Sequence, residues 1–137
     1  MATKVLDSWA LIAFLEDEPA AEAVEKLLAQ AAAEKHKLLL SVVNWGEIYY
    51  NTMREVSQEA AEQKAREIST LPIDIVGVGD DLALARQAAI YKATHKMAYA
   101  DCFAAALAKI KNCELLTGDP EFKALEKEIK INWLKQG

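Results

Sequence analysis

Short apolar runs alternate along the chain with longer stretches in which apolar residues recur three and four positions apart. These are the signatures of buried strands and amphipathic helices. Residues 3–6, Thr-Lys-Val-Leu, predict a first strand, and a helix from about residue 8 carries Trp9, Leu11, Ile12 and Leu15. Pro19 opens a second predicted helix, with Glu16, Asp17 and Glu18 at its positive end and Val24, Leu27, Leu28 and Ala31 on one face. Leu38-Leu39-Leu40-Ser41-Val42 reads as a fully buried strand, followed by helices over 44–55 and roughly 58–71. Pro72 stops the second of these, residues 73–76 alternate as a third strand, and Gly77 and Gly79 turn the chain into helices over about 81–94 and 97–110. Residues 114–117 predict a fourth strand, 120–127 a short helix and 129–132 a fifth strand.

Strands this short, separated by helices, require right-handed crossovers. The expected fold is α/β: a three-layer α/β/α arrangement, one domain over 1–137, with a mainly parallel, five-stranded sheet covered on both faces. Ligands in such folds meet the carboxyl ends of the strands.

Composition narrows the class. With 53% hydrophobic residues, five Gly and three Pro in 137 residues, the chain can bury a sizeable core, which argues against disorder. Sixteen basic and 21 acidic residues leave a net charge of -5, which argues against holding nucleic acid by bulk charge. Cys102 and Cys113 form neither a CxxC pair nor a disulfide framework. No apolar run reaches the ~18 residues of a membrane helix. The first apolar stretch runs into Glu16-Asp17-Glu18 instead of a small-residue cleavage site, so a cytoplasmic protein is expected.

Four acids stand out by position. Asp7 follows the first strand, Glu47 lies in the first turn after the second, and Asp119 follows Leu115-Leu116-Thr117-Gly118. Asp101 is the one residue between Met97 and Ala108 that is not apolar, so a helix expected to be buried nearly all round carries a lone carboxylate. Each has a structural alternative: Asp7 and Asp119-Pro120 read as helix caps, Glu47 as the capping-box partner of Asn44, and Asp101 as a cap at a late helix start. Strand-end carboxylates of a parallel sheet share one edge, however, and an adjacent helix can add Asp101 to them. Crowded carboxylates raise one another's pKa, and a divalent cation relieves the repulsion. Oxygen ligands without a cysteine or histidine set favour Mg2+ or Mn2+ over zinc.

These residues resemble the PIN domain, a metal-dependent ribonuclease fold, and in particular the toxin half of VapBC-type toxin-antitoxin pairs. The resemblance spans essentially the whole chain. It rests on Val5-Leu6-Asp7-Ser8, on the unit from Ser41 to Glu47, on Tyr99-Ala100-Asp101-Cys102-Phe103-Ala104-Ala105-Ala106-Leu107-Ala108, and on Leu115-Leu116-Thr117-Gly118-Asp119-Pro120-Glu121-Phe122. It implies that Asp7, Glu47, Asp101 and Asp119 hold one or two Mg2+ or Mn2+ ions, with Thr117 assisting, and that RNA phosphodiesters are cleaved by metal-activated water. It also implies a cognate antitoxin and a homodimer. There are two departures from the family pattern: Glu121 stands where Asp is frequent, affecting an outer contact, and Asn44-Trp45-Gly46 replaces an aliphatic run.

Other readings are weaker. No GxGxxG follows the first strand and no Walker loop is present. Haloacid dehalogenase-like phosphatases want a second Asp where Trp9 stands, and receiver domains want paired N-terminal acids. A metal-independent ribonuclease would need two histidines, but His36, between Lys35 and Lys37, and His95, near Lys92 and Lys96, read as solvated. A non-catalytic interaction module of the same fold remains an alternative. Arg54, Lys92, His95 and Lys96 are candidate phosphate contacts or ordinary surface charge. The apolar excess at Leu11, Ile12, Phe14 and Leu15, and at Trp45, Tyr49, Tyr50 and Met53, suits either core packing or an interface.

Overall fold

A computed structural model describes residues 2–135. Its elements follow in the order β1 (Ala2–Leu6), α1 (Ser8–Leu15), α2 (Ala21–Ala32), β2 (His36–Ser41), α3 (Val42–Glu55), α4 (Gln58–Ser69), β3 (Asp74–Val76), α5 (Ala83–Thr94), α6 (Tyr99–Ile110), β4 (Glu114–Thr117), a 3-10 helix (Pro120–Leu125) and β5 (Ile131–Trp133). The five strands form one sheet in the order β3-β2-β1-β4-β5, and every pairing is parallel.

Alternation along the strands divides the core into two layers. Val5, Leu39 and Leu115 face the layer built with Leu84, Ala88, Tyr91 and the buried run Cys102 to Ala108. Leu6, Leu38, Leu40 and Leu116 face Leu11, Val24, Leu28, Ile48 and Ile68. The chain moves outward through β1, β2 and β3 with α1 to α4 on one face, then crosses back to β4 through α5 and α6 on the other. Right-handed crossovers impose that change of face when the direction of travel reverses. The reversal makes the β1/β4 boundary a topological switch point.

Several boundaries differ from those the pattern predicts. The second strand begins at His36, because the imidazole is buried and its Nε2 bonds the Leu27 carbonyl at 3.0 Å; it is not in a solvated loop. That strand ends at Ser41, whose hydroxyl accepts the Val43 N–H, so Val42 opens α3. Asn44 is therefore inside the helix and is not the capping-box partner of Glu47. Pro19 precedes α2, which starts at Ala21. The last helix starts at Tyr99, two residues later than the apolar pattern suggests, and the fifth strand is shifted to Ile131–Trp133.

Candidate metal centre

Leu6 pairs with Leu40 on one side and with Leu116 on the other. The carboxyl ends of the three central strands therefore finish in one row, which brings Asp7, Ser41 and Thr117 together. Asp7 is buried and caps α1: its Oδ1 accepts the Ala10 N–H at 2.8 Å, while Oδ2 accepts the Thr117 hydroxyl at 2.5 Å. Thr117 Oγ1 in turn accepts the Asp119 N–H at 3.0 Å, so a single hydroxyl ties the two strand ends to each other. Asp119 caps the 3-10 helix, its Oδ1 accepting the Glu121 N–H at 3.0 Å with Pro120 next in line. Capping and clustering, opposed readings in the sequence, coexist in the same side chains.

Asp101 lies in the first turn of α6 and is half-buried; Glu47, also half-buried, lies in the second turn of α3. Among the described residues, carboxylate oxygens of Asp101, Asp119 and Glu121 lie within 4.8 Å of one another. Glu121, expected only as an outer contact, thus reaches a distance at which a cation is shared. The signal was its place two residues after Asp119, where the cap turn folds its backbone back onto the Asp119 carboxylate. Asp7 and Glu47 are not part of that trio, but their charges reach it.

The electrostatics record the crowding. Burial pushes the Asp7 pKa up to about 7 despite the bonds from Thr117 and Ala10, and Asp119 and Glu47 add to the rise. Asp101 is pushed up to about 8, first by burial and then by Glu47, Asp119, Asp7 and Glu121. The N-terminal turn of a helix favours an ionised carboxylate, so the rise at Asp101 runs against its local backbone environment. Among the described residues no ion pair reaches any of the five acids. Three of the four basic candidates have contacts away from the acids: Arg54 stacks on the Tyr50 ring at 5.0 Å, Lys92 Nζ donates to the Met97 carbonyl at 2.7 Å, and His95 Nε2 lies 3.8 Å from Glu128. His36 sits at the amino end of β2, at the opposite end of the sheet from the acids, so no histidine pair forms there.

Gly118 completes the site. A Cβ there would come within 2.2 to 2.6 Å of Trp9 ring atoms, so the indole rests on the backbone between Thr117 and Asp119. The donor set is entirely carboxylate oxygen, the type that suits a hard divalent cation.

An acidic cluster at the switch point of a parallel sheet places the chain among α/β proteins with a candidate divalent-metal site. The family described as PIN domain matches residues 4–128. The chain is 33% identical to the VapC ribonuclease Mb0640 of Mycobacterium bovis and to ribonuclease VapC30 of Mycobacterium tuberculosis, covering 87% of this chain and 92% of each relative. In fold it is similar to DNA-bound VapBC from Salmonella typhimurium, with a TM-score of 0.74, 14% identity and coverage of 96% and 98% of the two chains. It is likewise similar to the sarcin-ricin loop cleaving toxin VapC20 of Mycobacterium tuberculosis, with a TM-score of 0.68, 18% identity and coverage of 88% and 93%. The chain belongs to the PIN-domain family and, within it, to the VapC ribonucleases. It is a nuclease.

Proposed function

We propose that the protein, acting as one domain over 1–137, is a Mg2+- or Mn2+-dependent endoribonuclease and the toxin of a toxin-antitoxin pair in the cytoplasm. The observation that carries this reading is the convergence of Asp7, Glu47, Asp101, Asp119 and Glu121 without a cationic partner among the described residues. Burial, with the neighbouring acids adding to it, pushes the Asp7 and Asp101 carboxyls up to about 7 and 8, which is costly unless a cation takes up the charge. Asp101, Asp119 and Glu121 would hold the ion directly, with Asp7 and Glu47 completing its acidic surroundings. Bound there, the ion supplies activation of a water and neutralisation of charge on the phosphodiester.

The chain's own residues set that arrangement. Asp7 is locked by two hydrogen bonds and cannot swing away, and Asp119 is held by its cap, which leaves its second oxygen available. Thr117 is buried, with its hydroxyl donating to Asp7 and accepting from Asp119, so it acts as a positioning residue. Arg54, two helical turns beyond Glu47 on α3 and stacked on Tyr50, is the basic group best held to meet an RNA phosphate.

The names of the similar structures, several of them VapBC complexes, support a cognate antitoxin as partner. Exposed Tyr50, Met53 and Val56 at the end of α3 support a protein interface, which we assign to a homodimer. No helix among the described residues is long and apolar enough to cross a membrane. Incubation with defined RNAs in Mg2+, with and without EDTA, tests the reading. Cleavage that EDTA stops and Mg2+ restores is expected, and cleavage indifferent to EDTA would overturn it.

A further inference from the structure

Asn44 is fully buried near the start of α3, one turn before Glu47. Its Nδ2 donates to Ser8 Oγ at 3.1 Å and to the Ala100 carbonyl at 3.2 Å, and Ser8 Oγ donates back to the Asn44 carbonyl at 3.4 Å. Ser8 directly follows Asp7, and Ala100 directly precedes Asp101. One side chain therefore joins the three helices that carry Asp7, Glu47 and Asp101, and it does so one residue away from two of those acids. The Ala100 carbonyl can only accept, which fixes which end of the amide faces it. The opposite atom, Asn44 Oδ1, is buried and without a hydrogen-bond partner among the described residues. An apolar side chain would fill a core position at lower cost, since a buried acceptor without a partner forfeits its solvation.

We propose that Asn44 is a positioning residue of the metal centre: its amide clamps the start of α6 and the start of α1 to α3, and so sets the spacing of Asp101, Asp7 and Glu47. This rests on the metal-centre reading above. A polar clamp suits this place because a ligand such as Asp101 and the acids around it, Asp7 and Glu47, must be held to within a fraction of an ångström, and two directed hydrogen bonds fix distance where an apolar contact slides.

The test is Mg2+ binding to the EDTA-stripped protein, measured by calorimetry and by the thermal shift that Mg2+ produces. Asn44→Leu keeps the volume and deletes both donor bonds, and Asn44→Ala deletes them without a branched side chain. Each is expected to weaken Mg2+ binding about tenfold or more with the far-ultraviolet dichroism unchanged. Ser8→Ala removes one arm with minimal disturbance and is expected to weaken binding about threefold, the worth of one hydrogen bond; it decides the matter if neither Asn44 variant folds. Leu28→Ala, a buried α2 residue beside the Leu27 carbonyl that takes His36 at the far end of β2, should lower stability and leave Mg2+ affinity as in the wild type. Folded Asn44 variants with wild-type Mg2+ affinity would overturn the clamp alone, as would an equal loss of affinity in Leu28→Ala. A wild type that binds no Mg2+, with Asp101→Asn no different from it, would bring down the metal centre and the clamp with it.

Discussion

The adjacent strands β1 and β4 end in opposite chemistry. At their amino end, Lys4 and Glu114 stand in register and form an ion pair of 2.9 Å, beside a cavity of about 650 Å³ lined by Lys109, Lys111, Lys130 and Glu128. Burial works to raise the Glu114 carboxyl, but the bonds and charge of Lys4 and the Asn132 amide outweigh it and hold the carboxyl below its ordinary range. At their carboxyl end, five acids gather with no ion-pair partner among the described residues, and Asp7 and Asp101 are pushed to about 7 and 8. At the amino end the half-buried carboxylate is given a lysine. The unpaired end lies at the switch point, so its cost belongs to function and not to folding.

The sharpest way to break that contrast is Asp101→Asn. Nuclease activity should fall on the order of 100-fold or more, since even outer partners of a metal ligand are worth 10- to 100-fold. The metal-free variant should melt higher than the wild type near neutral pH, because the folded chain no longer has to hold a proton on Asp101 that the unfolded chain has released. Retained activity in a cleavage assay would take Asp101 out of the site.

The two ends should also answer pH with opposite signs. Asp7 and Asp101 bind their protons more tightly in the folded chain than the 3.8 of an ordinary Asp allows. The folded state therefore holds more protons than the unfolded one, and stability is full below about pH 4 and lost as pH rises through about 7 and 8. For buried Asp7 the loss is on the order of a few kcal/mol. Glu114, lowered from 4.5, contributes stability above that value and loses it as pH falls through its folded pKa. Thermal melts of EDTA-treated protein should thus peak in mildly acidic buffer and decline toward about pH 8, and Mg2+ should remove the decline. Melting temperatures that stay flat or rise from about pH 5 to 8 would contradict the raised carboxyls of Asp7 and Asp101.

What the sequence made legible follows from the same physics. A parallel sheet buried on both faces shows itself as runs such as Leu38-Leu39-Leu40, and Asp101 stood out because its helix is otherwise apolar. The differences arise where a polar group's partner is set by the folded chain and not by the local pattern. His36 hid the start of β2 because its imidazole is paid for by a carbonyl nine residues back. Val42 looked like strand because its side chain is β-branched, yet the Ser41 hydroxyl starts a helix there. Asn44 looked like a cap partner, whereas its bonds go to Ser8 and Ala100. The start of α6 was misplaced because Ala98 gives no side-chain cap, and Glu121 was discounted because only the folded turn brings its carboxylate to Asp101.

Two smaller perturbations sharpen the comparison by touching one end each. Gly118→Ala places a methyl within 2.6 Å of the Trp9 ring, so Trp9 or the Thr117 to Asp119 backbone must shift. Overpacking of this kind costs about 1–3 kcal/mol, and here it should also weaken Mg2+ binding; a variant that melts and binds Mg2+ like the wild type would mean that the indole moves freely. Lys4→Met, at the other end, removes the partner of Glu114 but leaves its bond from Asn132 at 3.3 Å. Both side chains of the pair are partly exposed, so the loss should be about 1 kcal/mol or less and should shrink further in high salt. Cleavage and Mg2+ affinity should not change, because Lys4 pairs with Glu114 and lies about 10 Å along β1 from Asp7. A Lys4→Met protein with impaired Mg2+ binding would show that the two ends are coupled through β1 and that their charges do not act independently.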